Sequence, residues 1–447
     1  MINKKIAIVG AGITGLAAAW QAEKNGADVD LFDRKKDAGG VINTENKGEW
    51  RYELGPNTLL LKDPEIEALI NDLDLTSRVE TANREASKRF IVKNGELNNL
   101  PQSLSGFLKT PLFSGKAKAR LLKEPFVRRT VPNSTVAHFF EARFGKEILD
   151  YAVNPFIAGI HAGRPENLSL KHAFPAIYDL EKEFGSVIAG GVRKMFNRNG
   201  SKKTKRRLIS FKTGLHELPE KLSSNITNTF YGHDLERTEK RNDDWYLFTN
   251  KGKYGPYSNI VLTIPLHKWD TTKLPVSSTQ LKRIQNVSYP PLSMMLLGYK
   301  KEDVTHPLDG FGFLVPEVEN RSVLGALFTS SLFKNRAPEG HHLLTVFTGG
   351  GRQPEIAEKE SQNLLNLVQG DLKELVGLKG APVFKDHVFW PNSIPQYNIG
   401  YDEVYAIFDD IESSNTGLHV AGNFRGGISV PDCIKNGLRL GKTLAGI

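Results

Sequence analysis

The chain has a single cysteine, Cys433, in 447 residues. No intrachain disulfide can form, and a dithiol relay to a redox group has no second thiol. Such usage suits a reducing compartment. A run of about 18 uninterrupted apolar residues, the length a spanning helix needs, is also missing. The start, MINKK, leads at once into a short apolar strand and does not read as a signal peptide. Acids are outnumbered: 50 Asp and Glu stand against 59 Lys and Arg, a net charge of +9. That surplus points to an anionic partner, whether nucleic acid, a membrane surface or an acidic small molecule. The eleven histidines, His341 and His342 included, show no spacing suited to a metal. His161, His172 and His387 read as structural or surface groups rather than bases. The length is enough for roughly two or three domains with a large buried core.

Glycine, in contrast, is plentiful and placed with purpose. KKIAIVG reads as a strand, ITGLAAAWQAEKNG as a helix ended by Gly26, and VDLFD as a second strand ending in Asp33. Between them stands GAGITG. Gly10 allows the tight turn, Gly12 lets a pyrophosphate approach the helix N-terminus, and Gly15 permits helix to pack on strand. Asp33 is placed to accept from a ribose 2′-OH, while Arg34 beside it keeps a 2′-phosphate in play. This is the order expected of an adenine-dinucleotide site. Gly39 and Gly40, soon after the acid, allow a second close backbone approach and favour FAD over NAD. An ordinary glycine turn without a ligand is the plainer alternative.

Further along, residues 48–60 alternate and turn at Gly55, Pro56 and Asn57. PEIEALINDLDL has helical spacing, and SKRFIVKNGELNNLP reads as a hairpin about Asn94-Gly95. Residues 100–130 carry Lys109, Lys116, Lys118, Arg120, Lys123, Arg128 and Arg129 against one acid, Glu124. Leu104, Phe107 and Leu108 share a helical face there, and Pro111 interrupts the helix. Such a basic, partly amphipathic region suits an anionic membrane, or a solvated helical face. No recognised nucleic-acid module accompanies it. Residues 134–190 look helical, capped at Ser134 or Thr135, and NRNGSKKTKRR reads as an exposed polar loop. Strand, turn and helix return from ISFKTGLHELPEKL onward, so the nucleotide domain is expected to be discontinuous. SMMLLGYK, GFGFLVP, SVLGALFTSS and HLLTVFTGG suggest a second sheet, followed by a helical run broken near Gly370. Near the C-terminus, Gly422, Gly426 and Gly427 let the backbone pass close to something flat. The helix from about Pro431 directs its positive end there. Asp432 reads as a first-turn helix residue and Cys433 as a small buried hydrophobe.

Together GAGITG, AGGVINT, ELGPNTLL, GFGFLVP, LGALFTSSLFKNRAPEG, WPNSIPQYNIGY and AGNFRGGISVPDC resemble the oxygen-dependent protoporphyrinogen oxidase family. That family sits within the wider group of FAD amine oxidases and phytoene desaturases. The first motif is shared with many flavoproteins; NRAPEG, IPQYNIGY and GNFRGG are more specific. The resemblance implies an α/β fold: a Rossmann-like FAD-binding domain, a mixed-sheet substrate domain, and an inserted helical domain that rests on a membrane. The expected divisions are 1–80, 208–270 and 390–447 for FAD, 81–99 and 271–389 for substrate, and 100–207 for the helical part. FAD is the expected cofactor, held by the residues above together with Gly55, Pro56, Asn57, Gly422, Asn423, Ile428, Ser429 and Val430. The family's usual ribose-binding acid is Glu, and Asp33 is shorter by one methylene.

By the same resemblance, Arg89 pairs with a substrate propionate, and Leu314 (rather than Phe313) and Phe328 pack the macrocycle. Asn154 and Gly159 line the cavity. The implied reaction is the six-electron oxidation of protoporphyrinogen IX, with molecular oxygen consumed and hydrogen peroxide formed. Removing hydride from one methylene bridge leaves a cation that the adjoining pyrroles stabilise, and loss of a pyrrole N–H proton and tautomerisation prepare the next round. Coproporphyrinogen III is the neighbouring substrate. A different FAD amine oxidase or desaturase, or a flavin-binding scaffold without turnover, are the rival readings. The expected location is cytoplasmic, peripheral on the cytoplasmic face of the inner membrane, with no nucleic acid as partner; a homodimer stays open.

Overall fold

The computed structural model describes residues 5–130, 133–196 and 206–447. The opening residues 1–4, most of the polar stretch 197–207 and the side chain of Leu104 lie outside the described residues.

A five-stranded parallel sheet holds the glycine turn. Its order is Asn228–Tyr231, Asp28–Asp33, Lys5–Val9, Asn259–Leu262, Leu418–Val420. Strands from four separate parts of the chain thus build one layer. Ile6, Ala7, Ile8, Val29, Leu31, Ile260, Val261 and Leu262 are fully buried, because helices and a second small sheet cover both faces. The first helix, Ile13–Lys24, buries ten residues in two and a half turns of alanine-rich sequence. The closing helix, Val430–Ala445, lies directly on it. A Cβ on Gly437 would fall 2.4 Å from the Thr14 carbonyl oxygen, and one on Gly441 2.6 Å from that of Ala18. Two glycines one turn apart therefore let the backbones touch.

A seven-stranded sheet forms the second layer, in the order Phe384–Trp390, Leu292–Lys300, His341–Gly349, Val323–Leu327, Gly310–Leu314, Lys88–Lys93, Glu96–Asn99. All its pairings are antiparallel except Gly310–Leu314 with Lys88–Lys93. Period-two alternation divides the long strand Leu292–Lys300. Met295, Leu297 and Tyr299 pack under the helix Ser361–Val376, whereas Met294 and Leu296 join a cluster on the other face. That helix runs unbroken through Gly370, which corrects the break expected there. The interruption falls earlier, between Pro354–Ala357 and Ser361–Val376. Gly370 is exposed, and a Cβ there would meet nothing within 4 Å. Gly370→Ala is therefore expected to raise stability by about 0.5–1 kcal/mol, read as a higher urea midpoint with unchanged slope.

The third layer is helical. Pro111 separates Leu104–Lys109 from Gly115–Lys123, and Thr135 caps Val136–Phe144 by accepting from the His138 amide at 3.1 Å. A π-helical stretch, Leu149–Val153, leads into Asn154–His161, where Pro155 supplies no amide. The layer is built about one buried cation. Arg143 is fully buried and binds Glu124 at 2.5 Å and Glu181 at 2.7 Å. Glu124 also accepts from the amides of Val187 and Ile188 at 3.0 and 3.2 Å, fixing the start of Val187–Phe196. Glu181 takes the Thr130 amide and hydroxyl, both at 2.8 Å. The cluster thus ties Glu124–Phe126, Val136–Phe144, Pro175–Phe184 and Val187–Phe196 together.

Candidate functional site

The site begins where the first strand stops. Gly10 has φ +115°, and a Cβ there would meet Thr263 Oγ1 at 2.4 Å. That hydroxyl donates to the Val9 and Gly10 carbonyls at 3.0 and 2.9 Å, which closes the turn. Gly15 is packed harder still, its absent Cβ 2.0 Å from the Gly10 carbonyl oxygen. Gly12 caps the first helix with no side-chain partner, and nothing lies within 4 Å of the place its Cβ would take. The helix N-terminus is thus left open for an anion. Gly39 and Gly40 fold over it: the Gly39 amide donates to the Ala11 carbonyl at 2.9 Å, and a Cβ on Gly40 would lie 3.2 Å from the Gly12 Cα. Asp33 ends the second strand, its carboxylate accepting from the Ala11 amide at 2.6 Å and the Lys35 amide at 2.7 Å. Two backbone donors hold the shorter acid beside the turn. Arg34 next to it is exposed.

A cavity of about 2370 Å³ opens between the three layers. At one end lie Gly55, Pro56 and Asn57 together with Asn423, Ile428, Ser429 and Val430, the last at the start of the closing helix. Gly55 can be nothing larger, since its Cβ would sit 2.1 Å from the Val41 carbonyl oxygen. Asn57 donates to the Gly55 carbonyl at 3.0 Å, but its own Oδ1 is buried without a partner. Buried acceptors are rarely left so, and an N–H or O–H of a bound group would satisfy this one. With the open helix terminus, Asp33 and the glycine cover, these residues fit FAD. Gly10 to Gly40 would hold its adenosine diphosphate part, and Asn57, Asn423 and 428–430 its ring; Gly422 does not line the cavity.

Further along the wall, Gly159 of the helix Asn154–His161 meets Leu314 of the sheet; a Cβ on Gly159 would be 2.5 Å from Leu314 Cδ2. Leu314 is half-buried, while Phe313 turns into the core. Arg89 is exposed on the cavity wall, its guanidinium 5.5 Å from the centre of the Phe311 ring, and it makes no salt bridge among the described residues. Lys62, Arg84, Arg206, Lys212 and Lys334 also line the cavity without such a bridge, against only Glu80 and Glu85. The mouth is cationic.

Two expected wall residues are placed elsewhere. Phe328 is fully buried beneath the sheet, its ring 6.3 Å from Phe90 and 6.1 Å from Phe313. The strand Val323–Leu327 ends there and Phe328 caps a short helix, so its ring swings into the core and Leu327 takes the wall. Asn154 is also buried away from the cavity. Its side chain donates to Glu317 at 3.1 Å and accepts from the Glu317 amide at 3.0 Å and from Arg352. The π-helical stretch before it shifts the phase, so Ala152 and Val153, adjacent in sequence, both reach the cavity. Phe156, Ile160, Phe174 and Ile177 complete an apolar wall that no sequence pattern had separated from ordinary helix packing.

His161 is buried just outside this wall, and burial pushes its pKa down to about 4, so it stays neutral. Among the described residues no group of three or more His, Cys, Asp or Glu is placed to hold a metal. No helix among them is long and apolar enough to cross a membrane. On the outside of the helical layer, Leu122 is 80% exposed, Phe126 88%, Met195 68% and Phe196 69%. Lys123, Arg128, Arg193 and Lys194 stand next to them in sequence.

Comparison with known proteins follows the same outline. The family described as flavin containing amine oxidoreductase matches over residues 13–440. Protoporphyrinogen oxidase 2, chloroplastic/mitochondrial, of Arabidopsis thaliana is 32% identical, covering 98% of this chain and 93% of its own. Coproporphyrinogen III oxidase of Bacillus subtilis (strain 168) is 26% identical, covering 97% and 96%. Among solved structures, a protein of Exiguobacterium sp. 255-15, provisionally described as a protoporphyrinogen oxidase, superposes with a TM-score of 0.84 at 22% identity, covering 100% of this chain and 99% of its own.

Proposed function

Because this chain belongs to the flavin-containing amine oxidoreductase family and is an FAD-dependent oxidoreductase, we propose that its cavity takes a porphyrinogen and oxidises it to the porphyrin, with protoporphyrinogen IX as first substrate. The observation that carries this is a cavity of about 2370 Å³ with apolar walls, a cationic mouth and one end at the start of the closing helix. A broad apolar macrocycle with carboxylates at its rim fits those three features together. FAD, when bound, supplies the hydride acceptor. The protein's part is position and field. Leu314 and Gly159 set one wall of the slot, and Phe156 and Phe174 keep water from the methylene bridge. The first-turn amides of Val430–Ala445 favour negative charge beside residues 428–430. A pyrrole N–H proton leaves to solvent in each round, and tautomerisation carries the fourth bridge's hydrogen to a pyrrole nitrogen, so that all four bridges end as methines and two N–H remain. Three two-electron rounds complete the reaction, with oxygen as terminal acceptor and hydrogen peroxide as product.

Arg89 is assigned to a propionate, which a guanidinium grips through two parallel hydrogen bonds. Arg89→Ala is expected to raise KM about tenfold or more, the loss of one charge-assisted contact. kcat should stay within about twofold, because the carboxylate is remote from the reacting bridge. Lysine at 89 should recover part of the loss, having the charge without the fork. The exposed apolar residues of the helical layer, with their basic neighbours, are assigned to an anionic bilayer surface; flotation with phosphatidylglycerol vesicles but not with neutral ones would support this.

The cations beyond Arg89 give a second reading its footing, since coproporphyrinogen III carries four propionates instead of two. Porphyrin fluorescence from the purified protein in air, with each porphyrinogen in parallel and spontaneous oxidation subtracted, separates the two. Preference for coproporphyrinogen III moves the enzyme to the neighbouring substrate. Turnover of neither, with FAD bound, overturns the assignment.

A further inference from the structure

The loop 422–427 lies between the last strand of the parallel sheet and the closing helix, and Asn423 within it and Ile428 just after it line the cavity. Within the loop the Arg425 amide donates to the Gly422 carbonyl at 3.1 Å, and the Asn436 side chain donates to the Arg425 carbonyl at 3.1 Å. Three phenols hold the backbone within and just after that turn. Tyr397 donates to the Asn423 carbonyl at 2.8 Å and accepts from the Gly427 amide at 3.1 Å, so one oxygen bridges both ends of the loop. Tyr401 donates to the Phe424 carbonyl at 2.8 Å, and Tyr405 accepts from the Gly426 amide at 2.8 Å. Their rings form a ladder, 4.5 Å between the centres of Tyr397 and Tyr401 and 5.7 Å between those of Tyr401 and Tyr405. Burial keeps all three protonated by pushing each phenol above its ordinary pKa.

The ladder also reaches the helical layer. His172, on Leu170–Ala173, stacks on Tyr405 at 5.2 Å and 14°. Its Nε2 lies 3.1 Å from Asp402, which also binds Lys171. The Ser169 amide donates to the Tyr397 carbonyl at 2.8 Å. The helix that follows, Pro175–Phe184, and Phe174 before it contribute Phe174 and Ile177 to the cavity wall. One set of rings thus touches both the loop beside 428–430 and the root of the opposite wall.

We infer that Tyr397, Tyr401 and Tyr405 are positioning residues: they fix loop 422–427 and thereby set the amides of 428–430 against the flavin ring, which tunes the flavin's reduction. This rests on placing the ring beside Asn423 and 428–430 and not on the identity of the substrate. The amides at the start of a helix stabilise negative charge only at short range, so a loop that relaxes weakens their hold on the reduced, anionic ring. Removing the Tyr397 hydroxyl frees a half-buried carbonyl and a half-buried amide at once, whereas Tyr401 and Tyr405 each release one group.

The test is reductive titration of the holoenzyme against a reference dye, without substrate, for wild type, Tyr397→Phe, Tyr401→Phe and Tyr405→Phe. Phenylalanine keeps the ring stacking and removes only the hydroxyl. The expected result is a fall in the reduced-to-oxidised flavin ratio at fixed dye potential, threefold or more for Tyr397→Phe and smaller for Tyr405→Phe, with a shifted visible flavin spectrum. A lower melting temperature with an unchanged ratio and spectrum would overturn the inference and leave the tyrosines merely structural. Should Tyr397→Phe fail to retain FAD, the half-buried Tyr405→Phe decides by the same ratio. Because no porphyrinogen is used, failure of the proposed substrate would leave this result standing.

Discussion

Arg143→Met should cost the protein about 3–5 kcal/mol, because it strips the cation from two buried carboxylates. Glu124 is fully buried and Glu181 nearly so, and both point at the guanidinium. Methionine fills similar volume but leaves Glu124 with no countercharge in a medium that solvates ions poorly. The loss should be local before it is global. Glu124 orders the start of Val187–Phe196 through two amides and Ser186, and Glu181 holds Thr130. Amide exchange should therefore accelerate first across 124–130 and 186–196, with the parallel sheet still protected. Arg143→Lys keeps charge without the fork and should fall between. Acid should mimic the variant. Interaction with Thr130 and Arg143 holds the Glu181 carboxyl below its ordinary value of 4.5 despite burial. A depressed folded pKa gives stability that is present above pH 4.5 and lost as pH falls through the lower folded value. Unchanged exchange in these segments for Arg143→Met would sink this account.

Gly15→Val should abolish retention of FAD. The Cβ that valine brings would sit 2.0 Å from the Gly10 carbonyl oxygen and 2.9 Å from Thr263 Oγ1. The first obstacle is backbone, which cannot rotate away, so the helix Ile13–Lys24 must lift off its strand. That lift carries the open amide terminus away from any bound pyrophosphate and disturbs the closing helix packed on it. Overpacking a core costs about 1–3 kcal/mol when side chains can adjust, and a backbone collision costs more. The purified variant should be colourless and melt lower. Gly12→Ala is the contrast: its Cβ meets nothing within 4 Å. The fold should therefore keep its melting temperature, while the methyl group intrudes where the cofactor would approach. Gly15→Val purifying with a full complement of flavin would contradict this reading.

These expectations come from features of unequal visibility. The glycine turn was legible because its meaning is local: strand, turn, helix and acid lie within 33 residues, and backbone sterics fix what each must do. The hairpin at Asn94-Gly95 and the interruption at Pro111 were legible for the same reason. Gly370 misled because glycine lowers helix propensity without forbidding helix. The apolar stripe Leu364, Leu365, Val368, Leu372, Leu375 packs under the large sheet and overrides it. Phe328 and Asn154 misled because a wall residue is defined by where its side chain points. A strand end, a bulge between Val323 and Gly325, or a single π-helical stretch changes that direction without any signal a short window can hold.

The sequence by itself determined the strand, glycine turn and helix that open the chain, and the likeness to FAD oxidoreductases, both of which depend on residue type at short spacing. The tertiary structure decided the rest. It brought Arg89, Leu314, Gly159 and Val430 to one cavity from four distant segments. It turned Phe328 and Asn154 away from that cavity, paired Arg143 with acids on either side of it in sequence, and set three tyrosines on a loop more than a dozen residues further along the chain. Side-chain direction and long-range contact come from packing all three layers at once, and no local pattern of residues contains that information.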